Sequence, residues 1–315
     1  MERGMPSERM PYCASSALRP VEIARPFFTS EMHIQTAIRK FGTWGHKKRD
    51  REKGSGVVGE EDSNVSDGCG EWSRRQPRII NGSGVQHITS APWMASIHVQ
   101  IYGYGFACAA TIIHPRFVLT AAHCLFTEQL PNGVAPNVTV YMYDLRRHRG
   151  DMRPLFVLHT WGHADYDIAL IELAGSVPLS MDDTAPKPWI CVPSDDDIDV
   201  AKRCRAKVFG WGFTDYSEMV EPEHLRQLDV RILEDGDPGC HVPEDHRGVM
   251  CAYGTRRGSG ICFGDSGGPL VVYYGRKAYL MGVTSHVRGM CSDAPATFVR
   301  VSHFQEYIRN FLLDL

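Results

Sequence analysis

Three short segments hold the residue types that attack on an acyl carbon requires. Leu119-Thr120-Ala121-Ala122-His123-Cys124 sets one histidine beside small residues. Asp165-Tyr166-Asp167-Ile168-Ala169-Leu170 sets two aspartates before an apolar run, and Cys262-Phe263-Gly264-Asp265-Ser266-Gly267-Gly268-Pro269 sets a serine among glycines. A serine hydroxyl is a poor nucleophile at neutral pH and needs an adjacent base. Taken singly, each segment has a plainer explanation. One of 14 histidines is ordinarily a surface or satisfied core residue, and an aspartate before an apolar run can be a strand-edge charge. The glycine-rich run can be a tight turn, because glycine permits positive φ.

In the chain order His, Asp, Ser, the three segments together resemble the trypsin/chymotrypsin family of serine peptidases. The resemblance runs over residues 78–315, about three-quarters of the chain. It implies an all-β fold of two packed antiparallel six-stranded β-barrels with a C-terminal α-helix and an active site in the cleft between the barrels. It also implies that His123 takes the proton of Ser266 and later gives it to the departing amine, while Asp167 orients the imidazole and stabilises its charged form. Asp167 matches rather than Asp165 because it directly precedes Ile168-Ala169-Leu170; Asp165 reads as a loop charge. The N–H groups of Gly264 and Ser266 would form an oxyanion hole, where one donor is typically worth about 3–4 kcal/mol of barrier.

Arg78-Ile79-Ile80-Asn81-Gly82 resembles the activation site of the family. Cleavage after Arg78 would free the ammonium of Ile79 to pair with Asp265, a local charge event read out as a conformational switch. The family pattern implies disulfides Cys69–Cys191, Cys108–Cys124, Cys240–Cys251 and Cys262–Cys291. The first would keep a cleaved extension attached. The second closes a loop of roughly 15 residues, worth about 3 kcal/mol on the chain-entropy estimate. Cys204 is matched to a family cysteine whose partner stands six residues after the nucleophile, where this chain has Val272. Cys204 and Cys13 are thus left over. They can pair with each other, bond another chain or stay free, and a small buried thiol is the preferred reading for Cys204.

The same resemblance places Gly260 at the base of the primary substrate pocket, with no carboxylate to pair with Arg or Lys. Val287 narrows the entrance, Ala296 adds a small apolar wall, and Phe263, Ser285 and His286 complete the substrate-binding set. Ser285-His286-Val287-Arg288-Gly289 is similar to the matching stretch of leukocyte-type elastases. The expected preference is therefore for small or medium aliphatic side chains before the scissile bond; chymotrypsin-like specificity is the nearer alternative. A non-catalytic binding protein is the alternative if the chain is never activated. The expected partners are protein or peptide substrates, a separate trypsin-like activating protease and a protein inhibitor.

The elements that must position these residues read as short strands after residue 78. Ile97, Val99 and Ile101 alternate with polar residues, as do Leu228, Val230 and Ile232. Further β-rich runs cover residues 138–143, 168–173, 270–274, 279–284 and 297–301. Phe304, Tyr307, Ile308, Phe311 and Leu312 have helical spacing, with Ser302 and Gln305 placed for a capping box. Residues 1–78 form an extension with clustered charge and a Gly/Ser/Asp/Glu-rich run, expected to be mostly disordered; the peptidase domain is expected over residues 79–315.

A net charge of -3 gives no footprint for nucleic acid, and no run approaches the ~18 apolar residues of a membrane span. Ten cysteines without a C-x-x-C pair point to structural disulfides and an oxidising compartment, so the expected location is extracellular. Residues 1–41 nevertheless lack the apolar core of about 7–15 residues that a secretory signal needs. Either the leader is absent from this version of the chain or its start is not the natural one. Arg146, Arg147 and Arg149 stand where some relatives have a calcium loop, which argues against that hard cation. Asp195-Asp196-Asp197 with Asp199 reads as an exposed acidic loop; no metal or cofactor is expected. Asn64, Asn81 and Asn137 begin glycosylation sequons.

Overall fold

The structure is a computed structural model that describes residues 68–72, 83–101, 104–126, 137–142, 144–146, 154–179, 186–193, 203–240, 242, 247–287, 291 and 294–313. Thirteen strands are named in chain order. The first barrel uses β2 (Met94–Ile101), β3 (Tyr104–His114), β4 (Phe117–Thr120), β5 (Asn137–Met142), β6 (Leu155–Gly162) and β7 (Ala169–Leu173). These close in the order β2-β3-β4-β7-β6-β5. The second barrel uses β8 (Ala206–Gly210), β9 (Arg226–Ile232), β10 (Val249–Gly254), β11 (Pro269–Tyr274), β12 (Lys277–His286) and β13 (Ala296–Arg300). Its order is β9-β10-β13-β12-β11-β8, closed by pairing of β8 with β9, and β1 (Ser83–Gly84) adds onto β9. All named pairings are antiparallel, so the chain forms two packed six-stranded barrels, as expected.

Alternation accounts for the half-buried strands. On β2, Ile97 and Val99 enter the core while Gln100 faces solvent. On β9, Val230 and Ile232 point inward and Arg231 outward. Strands β7 and β11 are instead buried along their whole length, because both of their faces are covered. Glu172 is therefore carried inside on β7, where the Arg116 guanidinium donates to it at 2.6 Å and His159 pairs with it at 2.9 Å. Burial of a carboxylate requires such partners.

The C-terminal segment runs through a 3-10 turn, Val301–Phe304, into α1 (Gln305–Leu313). Phe304 and Ile308 are buried, and the Phe311 ring lies 4.7 Å from that of Trp161 on β6. The helix that follows the second barrel thus packs on the first and clasps the two together. The capping box does not form: Ser302 is buried within the 3-10 turn and the Gln305 amide donates to the Pro193 carbonyl.

Residues 68–72 lie against the outer edge of β12. Gly70 N–H donates to the Trp189 carbonyl at 2.9 Å, and the Gly70 carbonyl accepts from Ala278 N–H at 2.9 Å. Gly70 has φ 67°, and a Cβ there would overlap the Ala278 carbonyl, so glycine is required. The other residues of the extension, including Arg78, Ile79 and Cys13, lie outside the described residues.

Candidate active site

Strand β4 ends in the short 3-10 turn Ala122–Cys124, which carries His123. Asp167 stands two residues before β7, the strand that pairs with β4, so the two side chains meet at the same end of the sheet. Asp167 Oδ1 accepts the His123 backbone N–H at 2.8 Å, and Oδ2 lies 2.8 Å from Nδ1 of the ring. The Ser285 hydroxyl donates to Oδ2 at 2.6 Å. Burial works to raise the Asp167 pKa, but hydrogen bonding and charge from His123, with the Ser285 hydroxyl, outweigh it and hold the carboxyl below its usual value.

The second barrel supplies Ser266. Its loop leads into β11 and is tied to the first barrel by Ala109 N–H, which donates to the Ser266 carbonyl at 2.8 Å. Ala109 follows Cys108, and Cys108 is bonded to Cys124, the neighbour of His123. The two halves of the cluster are thus joined through β3. Gly267 sits at this seam with φ 78°, where a Cβ would overlap Thr120 Oγ1 and the Ala109 carbonyl. Gly264 has φ 95°. The Asp265 carboxylate accepts Gly212 N–H at 2.7 Å and Cys262 N–H at 3.0 Å, so it braces both flanks of the loop. Gly210 and Gly212 leave the space that this carboxylate occupies.

On the other flank, a register shift between Thr284 and His286 interrupts the pairing of β12 with β13. Such a bulge re-aims side chains, and here Ser285 points to Asp167. The expectation counts Ser285 in the substrate-binding set; its hydroxyl donates to the half-buried Asp167 carboxylate. The His286 ring lies 6.2 Å from His123, and its partner across the strands, Thr297, follows Ala296. Ala296 is buried, Val287 is half-buried, and Gly260 and Phe263 are exposed. Sequence reasoning missed Tyr216, whose ring stacks on Phe263 at 5.5 Å.

The structure bonds Cys69 to Cys191, Cys108 to Cys124, Cys240 to Cys251 and Cys262 to Cys291. Cys204 is buried and disulfide-bonded, which corrects the reading of it as a small free thiol. The strand register explains the error. Val272 pairs with Ala206, two residues beyond Cys204, so Cys204 never occupied the position opposite Val272.

Cys108, His123 and Cys124 place ligand-type atoms within 4.8 Å of one another. Both sulfurs are committed to a disulfide, which removes the thiolates that a metal would need. A cavity of about 480 Å³ opens between β1, Leu145 and residues 214–226. His123, Asp167 and Ser266 are absent from its walls. Among the described residues no helix is long and apolar enough to cross a membrane.

The family model for trypsin matches residues 79–308. The chain is also similar to human transmembrane protease serine 5, with 29% identity over 265 residues that make up 79% of this chain and 55% of that protein. The chain therefore spans about half the length of this curated relative.

Proposed function

Since this chain belongs to the trypsin family, we propose that its serine protease domain is an endopeptidase in which Ser266 is the nucleophile, His123 the base and Asp167 the orienting carboxylate. The observation that supports this most directly is the convergence of His123 N–H, His123 Nδ1 and the Ser285 hydroxyl on one Asp167 carboxylate. That arrangement fixes the imidazole with Nδ1–H toward Asp167 and leaves Nε2 to accept the Ser266 proton. Ser266 Oγ then bonds to the scissile carbonyl carbon, whose oxygen takes the negative charge. Gly264 and Ser266 N–H groups stabilise that charge. His123 returns the proton to the departing amine, and water repeats the sequence on the acyl-enzyme.

The domain is proposed to be made as a precursor cut after Arg78, with the new Ile79 ammonium pairing with Asp265. The geometry of Asp265 favours this, since its carboxylate already braces Gly212 and Cys262 on the two flanks of the Ser266 loop. Gly260, Val287 and Ala296 limit the primary pocket to small or medium aliphatic side chains, in the manner of elastases. An enzyme of that preference does not cut after arginine, so a separate trypsin-like activator is required, and a protein inhibitor is a further partner. Four disulfides support an oxidising, extracellular setting. Asn137, exposed at the start of β5, is an accessible glycosylation sequon there.

Labelling with an active-site phosphonate before and after trypsin treatment tests the reading. Strong labelling of Ser266 is expected only after cleavage at Arg78. Absence of label after verified cleavage overturns the enzymatic reading, and fastest turnover of Arg or Lys p-nitroanilides overturns the proposed specificity.

A further inference from the structure

Eight of the ten cysteines are committed in the four bonds described above. Cys204 is disulfide-bonded as well, and no described cysteine is free. The remaining cysteine of the sequence is Cys13. Cys204 lies two residues before β8 and is 1% exposed. A second chain or a small thiol would have to enter that covered position to reach the sulfur. A cysteine of the same chain needs only enough length.

The described part of the extension comes to the same place. The Arg205 carbonyl, next to Cys204, accepts Tyr273 N–H at 3.2 Å. The Tyr273 ring lies 4.7 Å from that of Trp72, and Gly70 bonds Ala278, the residue opposite Tyr273 across β11 and β12. Tyr273 thus meets the chain beside Cys204 with its backbone and the chain beside Cys69 with its ring. Residues 14–68 separate Cys13 from Cys69, and an extended chain spans up to about 3.3–3.6 Å per residue. Once Cys69 is bonded to Cys191, closure of Cys13 onto Cys204 is an intramolecular event.

We infer that Cys13 is bonded to Cys204, so that residues 1–78 are fixed to the second barrel by two disulfides. Forming the bond takes two protons and two electrons from the two thiols. A disulfide of the oxidising compartment accepts them and becomes two thiols. Both anchors stand toward the end of β11 away from Ser266, since Tyr273 lies about 13 Å along the strand from Pro269. A cut after Arg78 then leaves the extension as a second chain anchored away from the candidate site, and loss of either bond alone does not release it. This consequence rests on the activation proposed above; the bond itself does not.

The test alkylates the unreduced full chain with iodoacetamide, digests it with trypsin in urea and identifies the linked peptides by mass spectrometry. A pair joining residues 10–39 to residues 204–205 is expected, and it should separate on reduction. Alkylated Cys13 in the unreduced wild type, a Cys13-linked dimer on a non-reducing gel, or a different partner on Cys204 overturns the inference. Two variants give opposite results when the folded chain is first cut by trypsin between Cys13 and Cys69 and then separated in urea without reductant. Cys204→Ser should lose residues 10–39 and keep residues 54–74, which carry Cys69. Cys191→Ser should keep the first and lose the second. Should either variant fail to fold, the wild-type peptide map decides alone. Neither measurement uses catalysis, so a wild type that carries the bond but leaves the phosphonate unreacted after cleavage keeps this inference and loses the peptidase reading.

Discussion

Replacing Ser285 with alanine isolates one contact in the proposed mechanism. The hydroxyl donates to Asp167 Oδ2 at 2.6 Å, the same oxygen that faces His123 Nδ1. A hydrogen bond to a charged group is worth about 1.5–3 kcal/mol. The Asp167 side chain is 22% exposed, so water can replace part of the lost bond and the lower end applies. At about 1.4 kcal/mol per tenfold, kcat should fall roughly tenfold. The backbone of residue 285 is unchanged, so KM should stay within about twofold. The pH dependence follows from the sign of the Asp167 shift. Its folded pKa is depressed, so its stabilising contribution is present above the unfolded value and is lost as pH falls through the folded one. Removing one of the bonds that depress it should move that loss, seen as the acid-unfolding midpoint, to higher pH. Steady-state kinetics on a p-nitroanilide and an acid titration of tryptophan fluorescence read both quantities. An unchanged kcat with a lower Tm would refute the positioning role and leave Ser285 a structural residue.

Gly267→Ala places a methyl group into Thr120 Oγ1 and the Ala109 carbonyl at a φ of 78°. Urea unfolding should show a loss of at least about 3 kcal/mol, together with loss of phosphonate labelling. Burial drives the Lys207 ammonium down to about 8, against partial support from Asp229. The folded state therefore sheds this proton before the unfolded state does, so stability should rise with pH between about 8 and 10.5. Lys207→Met should flatten that rise in thermal melts, and an equal slope in both proteins would contradict the assignment.

The fold was legible where local pattern and burial coincide. Strand β2 alternates and β11 is a pure apolar run, and both lie within two residues of their expected bounds. Strand β3 went unrecognised because Ala107, Ala109 and Ala110 have weak strand propensity. Small residues are needed there, since β3 passes directly behind Ser266 and bonds its carbonyl. His123, Asp167 and Ser266 were legible because each lies in a contiguous motif. The bond from Ser285 to Asp167 was not legible, because its direction depends on a bulge that has no sequence mark. Cys204 was misplaced by counting along the chain, whereas position opposite Val272 is set by pairing between strands. Tyr216 lies 47 residues before Phe263, as their numbering shows, so only the folded loop brings the two rings together.

The division of the candidate site between the two barrels makes it sensitive to distant change. His123 and Asp167 belong to the first barrel and Ser266 to the second, so their alignment depends on bonds between barrels. The described cross-ties include Ala109 N–H to the Ser266 carbonyl, Ser285 to Asp167, the Trp211 indole N–H to the Leu145 carbonyl, and the Trp93 and Phe209 rings at 6.3 Å. The first two involve the candidate catalytic cluster itself. A mutation that shifts one barrel by a few tenths of an ångström is therefore expected to disturb the proposed proton transfer. Positioning errors of this kind cost rate steeply, and they are invisible to any reading that treats each motif within its own segment.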